Sequence, residues 1–273
     1  MQLVQLQQAQ QGFKDQGIGL AAISYDSEAI LQDFAERQHI TFPLLADPQS
    51  AIIGAYRVLN TEAKGMTQGM AHPGFIYIDP AGRVKEKFFE TEYQDRYTAN
   101  NVIGRLFPEL TEQVTRDVAA PHISLAVQQS DQVAVPGSRI TLIAQVSLGR
   151  ELHVYAPGVA GYIPIELKME PSPELKLDEV VYPKSQILLL PAIKERVPVF
   201  AGVFRITQDV TISAARDFTR SLGSGKLISM KGQLKYQACD NKICYVPATV
   251  PVNWEVMVLP LDRQRSPEAI QHR

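Results

Sequence analysis

The sequence predicts two domains, a small α/β sheet domain followed by an antiparallel β-sandwich. Three observations lead there. The length, 273 residues, suits about two domains. Helical and strand patterns alternate up to about residue 107. Beyond residue 121 the chain turns to short strands divided by Pro and Gly, with turns at Pro136-Gly137, Pro157-Gly158 and residues 221–225.

The first half reads α-β-α-β-α-β-β-α. Leu3, Leu6 and Phe13, with Val4 beside them, fall on one face of an opening helix. Residues 19–24 (GLAAIS) form an apolar run suited to a buried strand. Asp26 or Ser27 then caps a helix carrying Ile30, Leu31, Phe34 and Ala35. Residues 42–46 make a short strand, and Asp47-Pro48 opens the next helix with Pro at its first position. Residues 74–79 (GFIYID) and 84–89 form a hairpin around Pro80-Ala81-Gly82-Arg83. A last helix covers residues 97–107. A linker at 108–121 leads to strands at 122–128, 139–148, 163–169 and 203–212, to a terminal hairpin, and to a polar tail at 260–273.

Composition excludes several classes of function. Net charge is −2, from 27 basic and 29 acidic side chains that are interspersed, so no basic stripe marks a nucleic-acid partner. No run of about 18 apolar residues suggests a membrane span, and the polar N-terminus does not read as a signal peptide.

The two cysteines carry the chemistry. Cys239 and Cys244 are the only cysteines, and Asp240-Asn241-Lys242 between them is turn chemistry. The flanks, residues 232–238 and 245–258, are rich in Tyr, Val and Ile and read as strands. Both thiols are therefore expected at a hairpin tip, within reach of one disulfide. A redox pair and a structural clip both fit. The clip gains little, because stabilisation grows with loop length. A zinc site needs about four ligands, and no histidine lies near the pair in sequence. No metal or other cofactor is expected. Asp240 and Lys242 read first as turn residues, although Lys242 could also favour a thiolate.

The strings GLAAISYDS, ITFPLLADPQSAIIGAYRV and HPGFIYIDPAGRVKEKFF resemble the redoxin group of the thioredoxin fold, the AhpC/TSA relatives, over residues 1–107. The resemblance implies a thioredoxin-like domain of antioxidant type. It also implies a cis peptide at His72-Pro73, beside the active cysteine of that family. Read alone, Pro73 is a loop proline before a strand. The family's first strand and the cysteine that follows it have no counterpart here, and no cysteine precedes residue 239. Peroxide reduction by this chain is therefore not expected. The missing strand is central in that fold, so residues 19–24 and 74–79 should stand apart. A sequence incomplete at its N-terminus is the expected cause, with a degenerate scaffold as the alternative.

Residues 122–259 resemble the N-terminal periplasmic domain of the thiol:disulfide interchange protein DsbD. The matching strings are VPGSRITLIAQVSLGRELHVYAPG, EVVYPKS, VPVFAGVFRITQDVTI and above all LKYQACDNKICYVPATVPVNWEV. The resemblance implies an immunoglobulin-like sandwich in which Cys239 and Cys244 exchange disulfides, with Cys244 attacking and Cys239 resolving. It implies an aromatic lid, here Phe200, and nearby acids, where this chain has Pro198 and Val199 instead. Taken by itself, Phe200 reads as core.

Together these readings describe a thiol–disulfide oxidoreductase of a periplasmic or otherwise extracytoplasmic compartment. Its partner would be a thiol–disulfide protein or the redoxin domain itself, brought to high effective concentration by fusion. A non-catalytic binding module with an inert disulfide is the reading from a different class.

Overall fold

The structure, a computed structural model, describes residues 2–90, 92, 94–110, 114–190, 195–262 and 264–271. Residues 111–113 of the expected linker, and 263, 272 and 273 of the expected tail, lie outside the described residues. The chain divides into two units. The first comprises residues 1–111, 135–139 and 260–273, and the second comprises 112–134 and 140–259.

The first unit opens with helix Gln2–Asp15, which buries Leu6 and Phe13 against Ile40, Phe42, Ala99 and Ile103. Ser27, not Asp26, caps helix Glu28–Gln38 through the Ile30 amide at 3.5 Å. The helix expected to start at Pro48 is shorter, Ala51–Ala55. The Asp47 carboxylate accepts from the Ala51, Ile52 and Ile53 amides at 2.9–3.0 Å, which fixes the helix start three residues later than proline placement suggests. Ala22–Ser24 pairs in parallel with Leu44–Ala46, and Gly74–Ile78 pairs antiparallel with Val84–Phe89. These are two separate two-stranded sheets, so no ladder joins Ala22–Ser24 to Gly74–Ile78.

The His72–Pro73 peptide is trans, which corrects the expected cis bond at Pro73. The trans form is favoured by about 0.5–1 kcal/mol without specific support.

The second unit is a β-sandwich. One sheet runs Leu175–Val181, Val203–Ile212, Ser138–Leu148, Ile123–Gln129 and Arg116–Val118. Arg116–Val118, expected as linker, is thus an edge strand, paired with Leu125–Val127. A second sheet runs Glu166–Met169, Lys226–Tyr236, Ala248–Val258 and Val133–Ala134. Alternation along Lys226–Tyr236 sends Ile228, Met230, Leu234 and Tyr236 inward, where they meet Leu142, Val146, Ile206 and Trp254 in one core. Trp254 is fully buried, and its Nε1–H donates to the Gln128 carbonyl at 2.8 Å, so its one polar group is satisfied.

A third sheet carries the cysteines. Its order is Gln186–Leu190, Glu195–Ala201, His153–Tyr155 and Ala238–Cys239. Gly202, at φ +68°, links Glu195–Ala201 to Val203–Ile212 and so passes the chain from this sheet to the first. A residue with a Cβ rarely adopts that conformation.

Among the glycines of the second unit, Gly232 leaves the least room for a side chain. It pairs with Met169, and a Cβ there would lie 2.6 Å from the Met169 sulfur and 2.8 Å from the Lys168 carbonyl oxygen. Gly232→Val should therefore destabilise the second unit by about 1–3 kcal/mol, as overpacking does. The expected readout is a melting point lower by roughly 2–9 °C. An unchanged melting point would show that the two strands separate freely at that position.

Candidate functional site

The hairpin Lys226–Tyr236 with Ala248–Val258 keeps regular register until Tyr236 faces Ala248. The chain then changes sheet. Ala238 and Cys239 leave Ala248–Val258 and pair with Val154 and His153. Two bonds anchor the step: Tyr236 donates its hydroxyl to the Pro121 carbonyl at 2.7 Å, and Gln237 Nε2 donates to the Tyr245 carbonyl at 2.9 Å. Burial pushes the Tyr236 hydroxyl up to about 12, so it remains a donor at any physiological pH.

The tip is a small hairpin of its own. The Tyr245 amide donates to the Ala238 carbonyl and the Asp240 amide to the Ile243 carbonyl, both at 2.9 Å. Cys239 and Cys244 face each other across it and are joined by a disulfide, with Cα atoms 4.0 Å apart. The expected bond between these two residues is present. Asp240 is the turn residue the sequence suggested. Its Oδ1 accepts from the Lys242 amide at 2.6 Å and the Ile243 amide at 2.8 Å, and its Oδ2 accepts from the Tyr245 hydroxyl at 3.2 Å. The Ile243 amide, then the Lys242 amide, hold the Asp240 carboxyl below its ordinary 3.8. The same carboxylate raises the Tyr245 phenol through their hydrogen bond.

The two cysteines have unequal surroundings. Cys239 is 1 % exposed and packs with Tyr155, Val197 and Val199. Cys244 is exposed, and so are its neighbours Ile243 and Val246, the latter 84 % exposed. Lys242 is also exposed on the turn.

Phe200 does not cover this pair, which corrects its expected role as lid. It is 3 % exposed and lies in the central core, 5.0 Å from the Phe204 ring centroid and 6.4 Å from that of Tyr182. The reason is strand alternation. Phe200 pairs with Val154, and Val154 pairs with Ala238, so these three share the core face. Cys239, His153 and Ala201 form the next row and point the other way. Val199, where the resemblance led to an expected acid, supplies an apolar contact near Cys239.

Sequence reasoning missed the aromatic groups on the cysteine face. His153 stands directly opposite Cys239. Its ring meets Tyr155 edge-on at 5.5 Å, and Tyr155 stacks on Tyr162 at 4.1 Å. The Tyr162 hydroxyl donates to Glu195 at 2.7 Å, a bond that raises its phenol to about 12. On the other flank His122 stacks on Tyr245 at 4.1 Å. The reading that no histidine lies near the pair holds only along the sequence; the fold brings two. His153-Val154-Tyr155 is too short for its alternation to stand out in the sequence, and both partner strands are distant along the chain. Among the described residues, no group of three His, Cys, Asp or Glu side chains is placed to hold a metal ion. No described helix is long and apolar enough to cross a membrane.

Residues 1–87 match the AhpC/TSA family model, and residues 124–253 match that of the thiol:disulfide interchange protein DsbD, N-terminal. The chain couples a segment similar to AhpC/TSA proteins to one similar to the DsbD N-terminal domain. Those similarities, with the disulfide in place, point to thiol–disulfide redox function. Among solved structures, the N-terminal periplasmic domain of ScsB from Proteus mirabilis matches at 12% identity with a TM-score of 0.32, over 53% of this chain and 51% of that one. This chain thus spans about half the length of that ScsB structure. The Neisseria meningitidis DsbD n-terminal domain in the reduced form matches at 13% identity with a TM-score of 0.31, over 58% of this chain and 98% of that one. No curated protein matches the chain.

The Asp240 contacts give a direct titration test. A depressed folded pKa means that the carboxylate's contribution to the turn is present above the unfolded value and lost as pH falls through the folded one. The Lys242 and Ile243 amide resonances should therefore shift together, with a midpoint below 3.8. A midpoint at or above that value would show that the carboxylate does not hold these amides in solution.

Proposed function

We propose that the DsbD-like unit exchanges disulfides with a partner protein through Cys239 and Cys244, with Cys244 as the sulfur that meets the partner. The observation that carries this reading is the unequal exposure of the two bonded cysteines, Cys239 buried and Cys244 exposed. Exchange proceeds by in-line attack of a thiolate on an accessible sulfur. A partner thiolate reaches Cys244, the Cys239–Cys244 bond breaks, and Cys239 takes the electron pair. In the opposite direction a reduced Cys244 attacks a partner's disulfide, and Cys239 then resolves the mixed disulfide. Both directions pass through the same Cys244–partner bond.

The bridge closes a loop of six residues, worth about 2 kcal/mol in the chain-entropy account. The sandwich has a large core of its own and does not depend on that contribution. Ile243 and Val246 give the partner an apolar rim beside the reactive sulfur. Residues 1–238 contain no cysteine, so the thiol that exchanges with this pair comes from outside them. The compartment is extracytoplasmic, most simply a periplasm, where disulfides persist; the ScsB domain it is compared with is itself described as periplasmic.

The reading is tested by trapping. Reduced Cys239→Ser, mixed with glutathione disulfide, should accumulate a stable glutathione adduct on Cys244, detected by intact mass. Cys244→Ser should form its adduct at least about tenfold more slowly, because the remaining thiol is buried. Equal rates would sink the assignment of Cys244. Failure of both to react would favour an inert clip.

A further inference from the structure

Resolution of a mixed disulfide asks something of Cys239 that its surroundings oppose. The attacking species is the thiolate, yet Cys239 is 1 % exposed among Tyr155, Val197 and Val199. Burial favours the neutral thiol. The proton therefore needs an acceptor on that face of the sheet.

His153 and Cys239 are a directly opposed antiparallel pair. Side chains so placed share one face, with Cβ atoms about 4.5–5.5 Å apart. His153 is 4 % exposed, and its Nε2 is buried with no hydrogen-bond partner. A buried ring nitrogen left unpaired is uncommon and calls for a role. The other groups facing the ring are few. Ala201 is opposite on the second neighbouring strand and has no polar side-chain group. Tyr155 meets the ring edge-on from the same strand. Asp240 supplies the nearby negative charge, and Glu195 acts one step further away, on Tyr155 and Tyr162. Burial lowers the His153 ring below its ordinary 6.5, and Asp240 opposes that effect without reversing it. The ring is therefore neutral at neutral pH and able to accept a proton.

We propose that His153 is the base that takes the Cys239 proton when the mixed disulfide is resolved. The inference rests on the exchange reading above. In the step, the Cys239 thiol proton passes to the His153 ring nitrogen as Cys239 attacks the Cys244 sulfur. The Cys239–Cys244 bond forms, the Cys244–partner bond breaks, and the partner sulfur leaves as a thiolate with the electron pair. The cysteine pair is oxidised and the partner reduced. His153 then returns its proton to solvent. In reverse, the protonated ring neutralises Cys239 as it leaves.

The experiment uses the full reduced chain and an aromatic disulfide, dithiobis(nitrobenzoate), whose thiolate product is coloured. The first equivalent of colour reports attack by Cys244, and the second reports resolution by Cys239. In the unmodified chain the second phase should slow as pH falls through the His153 pKa, below 6.5, measured independently from its ring proton resonance. His153→Gln should leave the first phase unchanged, slow the second by about a hundredfold and abolish that pH break. An unaltered second phase in the variant would overturn the proposal. If His153→Gln does not fold, the unmodified chain decides alone: a second phase with no break at the ring's measured pKa overturns the proposal, and a coincident break supports it. Absence of a second equivalent in the unmodified chain, with a normal first, would instead remove the exchange reading itself.

Discussion

The site depends on the pairing of one short strand. His153–Tyr155 lies between Glu195–Ala201 and Ala238–Cys239, and each of its residues is fixed from both sides or from one. That register decides which way Cys239 points. Strand alternation admits two settings, and a slip of one residue would move Cys239 to the core face now filled by Ala238, Val154 and Phe200. The core holds the register because Val154 and Ala238 are fully enclosed there. Burial of one sulfur and exposure of the other follow from this setting together with the four-residue turn that Asp240 ties down.

This arrangement separates two demands on a dithiol. A sulfur that meets partners must be reachable, and Cys244 sits on the outside of the tip among exposed residues. A sulfur that resolves must be held in place and kept from stray reagents, and Cys239 is enclosed by Tyr155, Val197 and Val199. Their pairing across a hairpin holds the two within bonding reach, with Cα atoms 4.0 Å apart. The enclosure has a cost in proton transfer, since a buried thiol ionises poorly. The unpaired nitrogen of His153 on the same face is the feature that answers it.

The cysteine hairpin was legible because local signals agreed: turn residues between two β-rich flanks, and only two thiols to pair. The long strands Ser138–Leu148 and Val203–Ile212 were legible for the same reason. The third sheet was not. His153–Tyr155 has three residues, too few for alternation to stand out, and Glu195–Ala201 contains Pro198. Phe200 was misplaced because a lid and a core residue look alike until the strand's facing is known. Here the facing was set by pairing with Val154, a contact distant in sequence. His153 was missed because its significance is the residue opposite it, 86 positions away by the numbering. Pro73 shows the limit of resemblance, since the trans peptide found there is the intrinsic preference of an X-Pro bond.

The central claim is that the Cys239–Cys244 bond is exchangeable rather than inert. The most direct measurement is its reduction potential, obtained by equilibrating the chain in glutathione or dithiothreitol buffers and quantifying both forms. Exchange through an exposed, short-loop disulfide predicts a potential above about −300 mV. A value well below that would mark a structural bridge and contradict the account.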